Sequence, residues 1–329
     1  MNWRALAAAL VCGLVVAAPE GRAAEYPARS IKLVVPYPAG GPTDVLGRMV
    51  GEYLSRDLKQ SVVIENKGGA QGAIGAEAVA HAEADGYTLL FTASSVLELN
   101  PMLYKKLSYD PDRELRVLAI VTDTPAVMIV HPSVPAKSVA EFVAHARQNP
   151  GKLNCASAGI GTVPHLACEY LNKVAGTNIL HVPYRDVNSA MVATVANVTQ
   201  MFFGVSTSAK SQIESGAFRG LAVSTSQRSV LLPALPTMIE SGYPTFNMPG
   251  WGGLLATAGT RKDIVEKLNA EVLRAVQRPE TQKRLIAAGM EPAPPLDPGG
   301  FRAFIEDDIA RWTQFVEAVG VERLKGPPQ

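Results

Sequence analysis

The stretch Val34-Val35-Pro36-Tyr37-Pro38-Ala39-Gly40-Gly41-Pro42-Thr43-Asp44 constrains the fold more than any other. Apolar residues from Ile31 to Val35 run into a Pro/Gly turn. Beyond it Val45, Leu46, Met49, Val50, Tyr53, Leu54 and Leu58 recur at helical spacing. The pattern spells strand, tight loop, helix. Gly40 and Gly41 permit turn conformations and a close approach of backbone to a ligand. Pro42 lacks an N–H and suits a helix's first turn, where the Asp44 carboxylate is also favourable. Unpaired N–H groups at such a turn make a site for a carboxylate or phosphate. An ordinary βα turn would have the same sequence. The stretch Asn154-Cys155-Ala156-Ser157-Ala158-Gly159-Ile160-Gly161-Thr162-Val163-Pro164-His165 repeats the grammar. Two such turns point to one small anion held between two lobes.

The rest of the chain supplies the lobes. The 329 residues suffice for two domains at ~150 residues each. Apolar strand runs are expected at 61–65, 87–91, 117–121, 126–130, 179–182, 200–203, 221–224 and 251–256. They alternate with helical patterns, including a capping box of Ser138 and Glu141. Alternation of this kind predicts parallel sheets covered by helices on both faces. Hinge-like segments fall near 122–125 and 225, and three amphipathic helices close the chain. The domain reading is a signal peptide at 1–23, a first lobe of 24–122 and 226–329, and a second lobe of 123–225.

Arg4, the apolar run from Leu6 to Ala18 and the small residues of Gly21-Arg22-Ala23 predict export to the periplasm with cleavage after Ala23. The net charge of +1 argues against a nucleic-acid partner. Cys155 and Cys168 remain in the mature chain, either bonded or as two buried thiols; spacing alone does not decide between them.

The Gly-rich loop 66–75 lacks Gly-Lys-Ser/Thr and the dinucleotide fingerprint, so it reads as close packing of helix on strand. His131, His145, His165 and His181 show no metal-ligand spacing, His81 reads as a solvated residue of the Ala-rich helix, and no metal or cofactor is expected. Ser157 does not sit in a Gly-x-Ser-x-Gly elbow. Thr92 and Ser94 follow a strand's C-terminal end, where ligands of open α/β sheets bind. Asp44 reads as structural. Arg185 either faces the cleft and pairs with a carboxylate or lies on the surface.

Several of these residues together resemble the Bug family, the extracytoplasmic solute-binding receptors of tripartite tricarboxylate transporters. They are Tyr26-Pro27, Val35-Pro36-Tyr37-Pro38-Ala39-Gly40-Gly41 with Asp44, Glu65-Asn66, Asn100-Pro101, Ser157-Ala158-Gly159 with Gly161-Thr162 and His165, Val182-Pro183-Tyr184, Leu235-Pro236-Thr237, Trp251-Gly252 and Ala258-Gly259-Thr260. The resemblance covers nearly all of the mature chain. It implies a type II periplasmic-binding-protein fold, α/β with two lobes, a hinge and an interlobe cleft. It implies a carboxylate ligand, a membrane permease as partner, a monomer and no catalysis. Carried over by position, Tyr37, Ala39, Gly40 and Gly41 form one wall of the site. Ser157, Gly159, Gly161 and Thr162 form the other, with Thr92, Ser94 and His165 nearby. Gly204-Val205 stands where many members carry Asp-Asn, which removes a possible pocket carboxylate. The competing readings are an exported two-lobed hydrolase or isomerase acting on a small organic acid, and an orphan signalling receptor.

Overall fold

The computed structural model describes residues 26–326 apart from Pro249, Pro294 and Asp297. The expected signal at 1–23 lies outside the described residues. In chain order the strands are β1 (Ile31–Val35), β2 (Val62–Asn66), β3 (Thr88–Ala93), β4 (Leu115–Asp123), β5 (Ala126–Val130), β6 (Asn154–Ser157), β7 (Leu180–Pro183), β8 (Met201–Val205), β9 (Arg219–Val223), β10 (Trp251–Thr257) and β11 (Glu291–Pro292). They form two sheets, ordered β11-β4-β10-β3-β1-β2 and β7-β6-β8-β5-β9. The two-sheet α/β architecture is the one expected. Among the described residues no helix is long and apolar enough to cross a membrane.

The sheets are mixed rather than wholly parallel. β2, β1 and β3 run parallel, as do β7, β6 and β8. β10 is antiparallel to both its neighbours, and β5 to both of its own. These strands lie next to the crossings between the sheets. A strand that enters straight from the other sheet has no helical crossover to reverse it, so it runs against the βα-connected set.

Thr124 and Pro125 make the first crossing. The Thr124 N–H donates to Gly250 O at 2.7 Å. A Cβ on Gly250 would stand 2.7 Å from Thr124 Oγ1 and 3.1 Å from Thr124 O. The two crossings are thus in contact, and a residue with a Cβ there would force Thr124 to shift. The second crossing falls around 250, later than the hinge expected near 225. After β9 the chain stays on the second sheet: Met238 N–H donates to Val223 O and Met248 N–H to Ser224 O, each at 2.8 Å. Met238, Phe246 and Met248 accordingly sit in the core beneath that sheet, with Phe142, Leu171 and Phe203. Pro-rich sequence signals a loop but does not say which sheet the loop lies on.

The C-terminal helix Pro298–Val319 serves both cores. Phe301 packs with Phe91, Leu254 and Leu268 under the first sheet. Trp312 and Phe315 pack under the second, where the Phe315 and Tyr170 rings meet edge-on at 4.6 Å. Beyond it, Leu324 N–H donates to Leu103 O and Leu324 O accepts from Lys105 N–H, and Leu103 itself packs in the second core. A division that assigns all of 226–329 to the first lobe therefore leaves part of it in the second core.

Candidate functional site

The first loop joins β1 to the helix Pro42–Leu58, which begins at Gly41 with no side-chain cap. Ala39 and Gly40 are exposed and Gly41 is half-buried. Gly40 takes a φ of +80°, which a residue with Cβ adopts at a cost. The buried Asp44 carboxylate organises the turn. It accepts Gly40 N–H at 2.8 Å, Arg48 Nε at 2.9 Å and Asn66 Nδ2 at 2.8 Å. Asn66 Nδ2 also donates to Tyr37 O at 3.1 Å. Burial alone would raise the Asp44 pKa, but Arg48, the Gly40 N–H and Asn66 together hold it below the usual carboxylate range. Asp44 is thus structural, and the Gly40 N–H is already committed to it. Beneath the loop the Tyr37 hydroxyl lies 3.3 Å from Ser95 Oγ. Burial raises the Tyr37 pKa, so the phenol stays protonated as a donor. Thr92 and Ser94 are buried beside it at the carboxyl end of β3.

The second loop joins β6 to the helix Val163–Ala175, which starts at Thr162, again with no side-chain cap and with Pro164 in its first turn. Gly159 and Gly161 have φ of +116° and +82°. The loop is tied within itself. Ser157 Oγ accepts Gly159 N–H at 3.1 Å and lies 3.2 Å from Gly159 O. The Thr162 hydroxyl donates to Gly159 O at 2.7 Å, and Gly161 N–H donates to His165 Nδ1 at 3.1 Å. The two hydroxyls expected to reach a ligand thus face the loop's own carbonyl.

A third loop, missed as a contact in the sequence, connects these two. Gly69, Ala70, Gln71 and Gly72 all have positive φ, at +132°, +49°, +53° and +88°. For Ala70 and Gln71 this conformation costs about 1–2 kcal/mol per residue. Asn100 Nδ2 holds Gln71 O at 3.3 Å, and Gln71 Nε2 crosses to Ile160 O in the second loop at 3.1 Å. On its other flank a Cβ on Gly72 would lie 3.2 Å from the Tyr37 hydroxyl, and one on Gly75 2.6 Å from Pro36 Cβ. A Cβ on Gly161 would fall 2.9 Å from Leu103 Cδ1 and 3.3 Å from Gln71 Nε2. The close packing read from the glycines is present, and across it the first and second loops meet. The run of glycines around Ala70-Gln71 was the available signal, since glycine clusters mark irregular backbone.

Arg185 stands apart. Its side chain is 87% exposed and pairs with Asp186 at 3.0 Å, while Asp186 caps the helix Val187–Val195 through Ser189 N–H at 2.7 Å. Cys155 and Cys168 form a disulfide with Cα atoms 6.4 Å apart, linking β6 to the helix behind the second loop.

His165, Glu169 and His181 present donor atoms within 4.8 Å of one another, a grouping the sequence spacing did not reveal. They do not fit a three-ligand metal site. His165 Nδ1 accepts the Gly161 N–H, so the neutral ring carries its hydrogen on Nε2 and has no second lone pair to offer. Nor do they fit a nucleophile and base. Ser157 Oγ lies 2.5 Å from His181 Nε2, but Ser157 is fully buried and, among the described residues, no carboxylate is hydrogen-bonded to His181 to orient it. Burial, then the neighbouring His181, lowers the His165 pKa to about 4; burial also lowers that of His181. His165 is uncharged at neutral pH, and burial favours the neutral form of His181 as well. Beside them lies a cavity of about 510 Å³, which Glu169, Glu322 and Arg323 also line.

Comparison with known proteins agrees with this geometry. The family described as the tripartite tricarboxylate transporter family receptor matches residues 46–321. The R. palustris protein Rpa4515, solved with adipate, superposes with a TM-score of 0.84 at 31% identity, over 91% of this chain and 100% of its own. The periplasmic binding protein BugD superposes with a TM-score of 0.80 at 34% identity, over 91% and 100%. MatC from Rhodopseudomonas palustris, solved with malate, gives 0.78 at 31% identity, over 88% and 100%. The same two-lobed fold therefore accompanies a match over most of the sequence, and the chain belongs to the family of tripartite tricarboxylate transporter receptors, which are periplasmic solute-binding proteins and not enzymes.

Proposed function

We propose that this chain captures a small organic acid carrying one or more carboxylates, between the loop 37–41 and the loop 157–162, and closes around it. The observation that carries the reading is the pair of uncapped helix starts, at Gly41 and Thr162, following the carboxyl ends of parallel strands in two different sheets. First-turn N–H groups carry partial positive charge and are a favourable seat for an anion. Rpa4515 with adipate and MatC with malate are relatives of the same fold, which supports a dicarboxylate as first probe. Tyr37, Ala39, Gly40, Gly41, Thr92 and Ser94 would contribute from one side, and Ser157, Gly159, Gly161, Thr162 and His165 from the other. The lobes are taken as the two sheets with their helices, exchanging at Thr124-Pro125 and around Gly250, with the C-terminal helix bridging them. The chain would be exported, cleaved after Ala23, monomeric, and would deliver its acid to a membrane permease.

Titration calorimetry with adipate and malate tests the reading. Gly40→Val and Gly161→Val should abolish binding, because both positions need positive φ and Gly161 has Leu103 against it. Thr162→Val should cost about 1–3 kcal/mol, and the exposed Arg185→Ala almost nothing. If Arg185→Ala abolishes binding while the glycine variants bind normally, a salt-bridged pocket replaces the backbone site. Binding of neither acid at millimolar concentration would sink the dicarboxylate reading.

A further inference from the structure

The His165 and His181 rings pack at 4.2 Å between centroids, behind the second loop. Hydrogen bonds tie both rings to the loop. Gly159 N–H donates into Ser157 Oγ, and the Ser157 hydroxyl has Gly159 O at 3.2 Å to receive its hydrogen. The 2.5 Å contact between Ser157 Oγ and His181 Nε2 is a hydrogen bond whose hydrogen comes from the hydroxyl in one tautomer of His181 and from the ring in the other. Gly161 N–H points into His165 Nδ1, which must therefore be bare. His165 is thereby held as one neutral tautomer, and the two imidazoles grip different ends of the loop.

We propose that His165 and His181 are positioning residues for anion capture, holding the loop 157–162 in its binding conformation through Gly161 N–H and Ser157 Oγ. The proposal rests on the carboxylate reading above. Gly159 and Gly161 leave this loop more backbone freedom than any other residue type would, so contacts from outside it add to its internal ties in selecting one conformation. A loop ordered before the ligand arrives spares the ligand that ordering cost. Neutrality of His165 is part of the device. An imidazolium would carry a hydrogen on Nδ1, donor against donor with the Gly161 N–H. Burial of the ring, only 7% exposed, works against that charge.

The geometry suggests its own conservative replacements. Asparagine at 165 can present Oδ1 near the place of Nδ1, and glutamine at 181 can present an amide N–H near the place of Nε2. In the mature chain without acid, His165→Ala and His181→Ala should speed hydrogen exchange at Gly159 and Gly161 about tenfold, the effect of losing a hydrogen bond. His165→Asn and His181→Gln should stay within about twofold of the parent. Adipate and malate affinities should follow the same order. Exchange unchanged in both alanine variants, or asparagine and glutamine variants no better than alanine, would overturn the proposal. If the parent binds neither acid, the carboxylate reading fails while hydrogen exchange still decides the positioning role. Nitrogen-15 spectra of the unmodified protein provide a check without variants: a hydrogen on His165 Nδ1 at neutral pH would remove its bond from Gly161 N–H and overturn the proposal.

Discussion

Asp44→Ala should destabilise the protein by about 3 kcal/mol, because two hydrogen bonds to a buried carboxylate disappear at about 1.5 kcal/mol each. The two are the 2.8 Å contacts from Gly40 N–H and Asn66 Nδ2. Arg48 is left out of the sum: its side chain is 53% exposed, and water replaces what it loses. For a chain of this length the loss corresponds to roughly 5 °C in Tm. Asp44→Asn should cost less, about 2 kcal/mol, since its oxygen can still accept from one donor while its amide faces another. The sign of the pH dependence follows from the depressed pKa. The stabilisation is complete above the ordinary aspartate value, about 3.9, and is lost as pH falls through the lower folded value. The deficit of Asp44→Asn should therefore be constant from neutral pH to about 5 and shrink in stronger acid. Urea titrations of the parent and both variants between pH 3 and 8 measure this. A loss below about 0.5 kcal/mol for Asp44→Ala, typical of an ordinary surface site, would refute the claim that this carboxylate organises the first loop.

Three further outcomes follow from other parts of the molecule. Burial raises the Glu98 pKa to about 8, against hydrogen bonds from Ser94 and Trp251 and the charge of Arg311. A raised carboxyl stabilises fully below its unfolded pKa and loses that contribution as pH climbs toward 8, so urea midpoints should fall between pH 5 and 8 more steeply in the parent than in Glu98→Gln, where Asp123 and Glu291 still titrate; equal slopes would contradict it. Gly250→Ala should cost about 1–3 kcal/mol through its clash with Thr124, with part of the loss recovered in the Thr124→Ala background; additive effects in calorimetric melts would argue that the crossings do not touch. Replacing both Cys155 and Cys168 with alanine should cost about 3 kcal/mol for so short a closed loop, and thiol titration of the unfolded, unreduced parent should find neither cysteine free.

Much of the fold was legible because it is locally encoded. The runs Ile31–Val35 and Trp251–Thr257 and the helix Lys262–Gln277 carry their periodicity in the side chains themselves, and each forms close to where that periodicity places it. The capping serine at 138 accepts Glu141 N–H, although the Glu141 carboxylate reaches Lys137 N–H, one residue earlier than a capping box requires. The two strand–loop–helix turns could be recognised for the same reason: proline, glycine and small residues restrict backbone within a few positions. Long-range relations had no such signature. The Cys155–Cys168 bond depends on Cα separation, and the stay of 236–248 on the second sheet depends on partners far along the chain. His181 looked like any histidine until β7 paired with β6 and set it against Ser157, and Gln71 could not be matched to Ile160 before the lobes met. Sequence by itself determined most of the strands, the longer helices and the glycine turns, because those choices are made within one turn or one strand; the helices Leu99–Leu103 and Ser206–Glu214 and the short β11 carry too little periodicity to be read that way. Only the tertiary structure decided which N–H groups are already spent on Asp44 and His165, because a hydrogen bond is settled by distance and direction between groups that the chain brings together last.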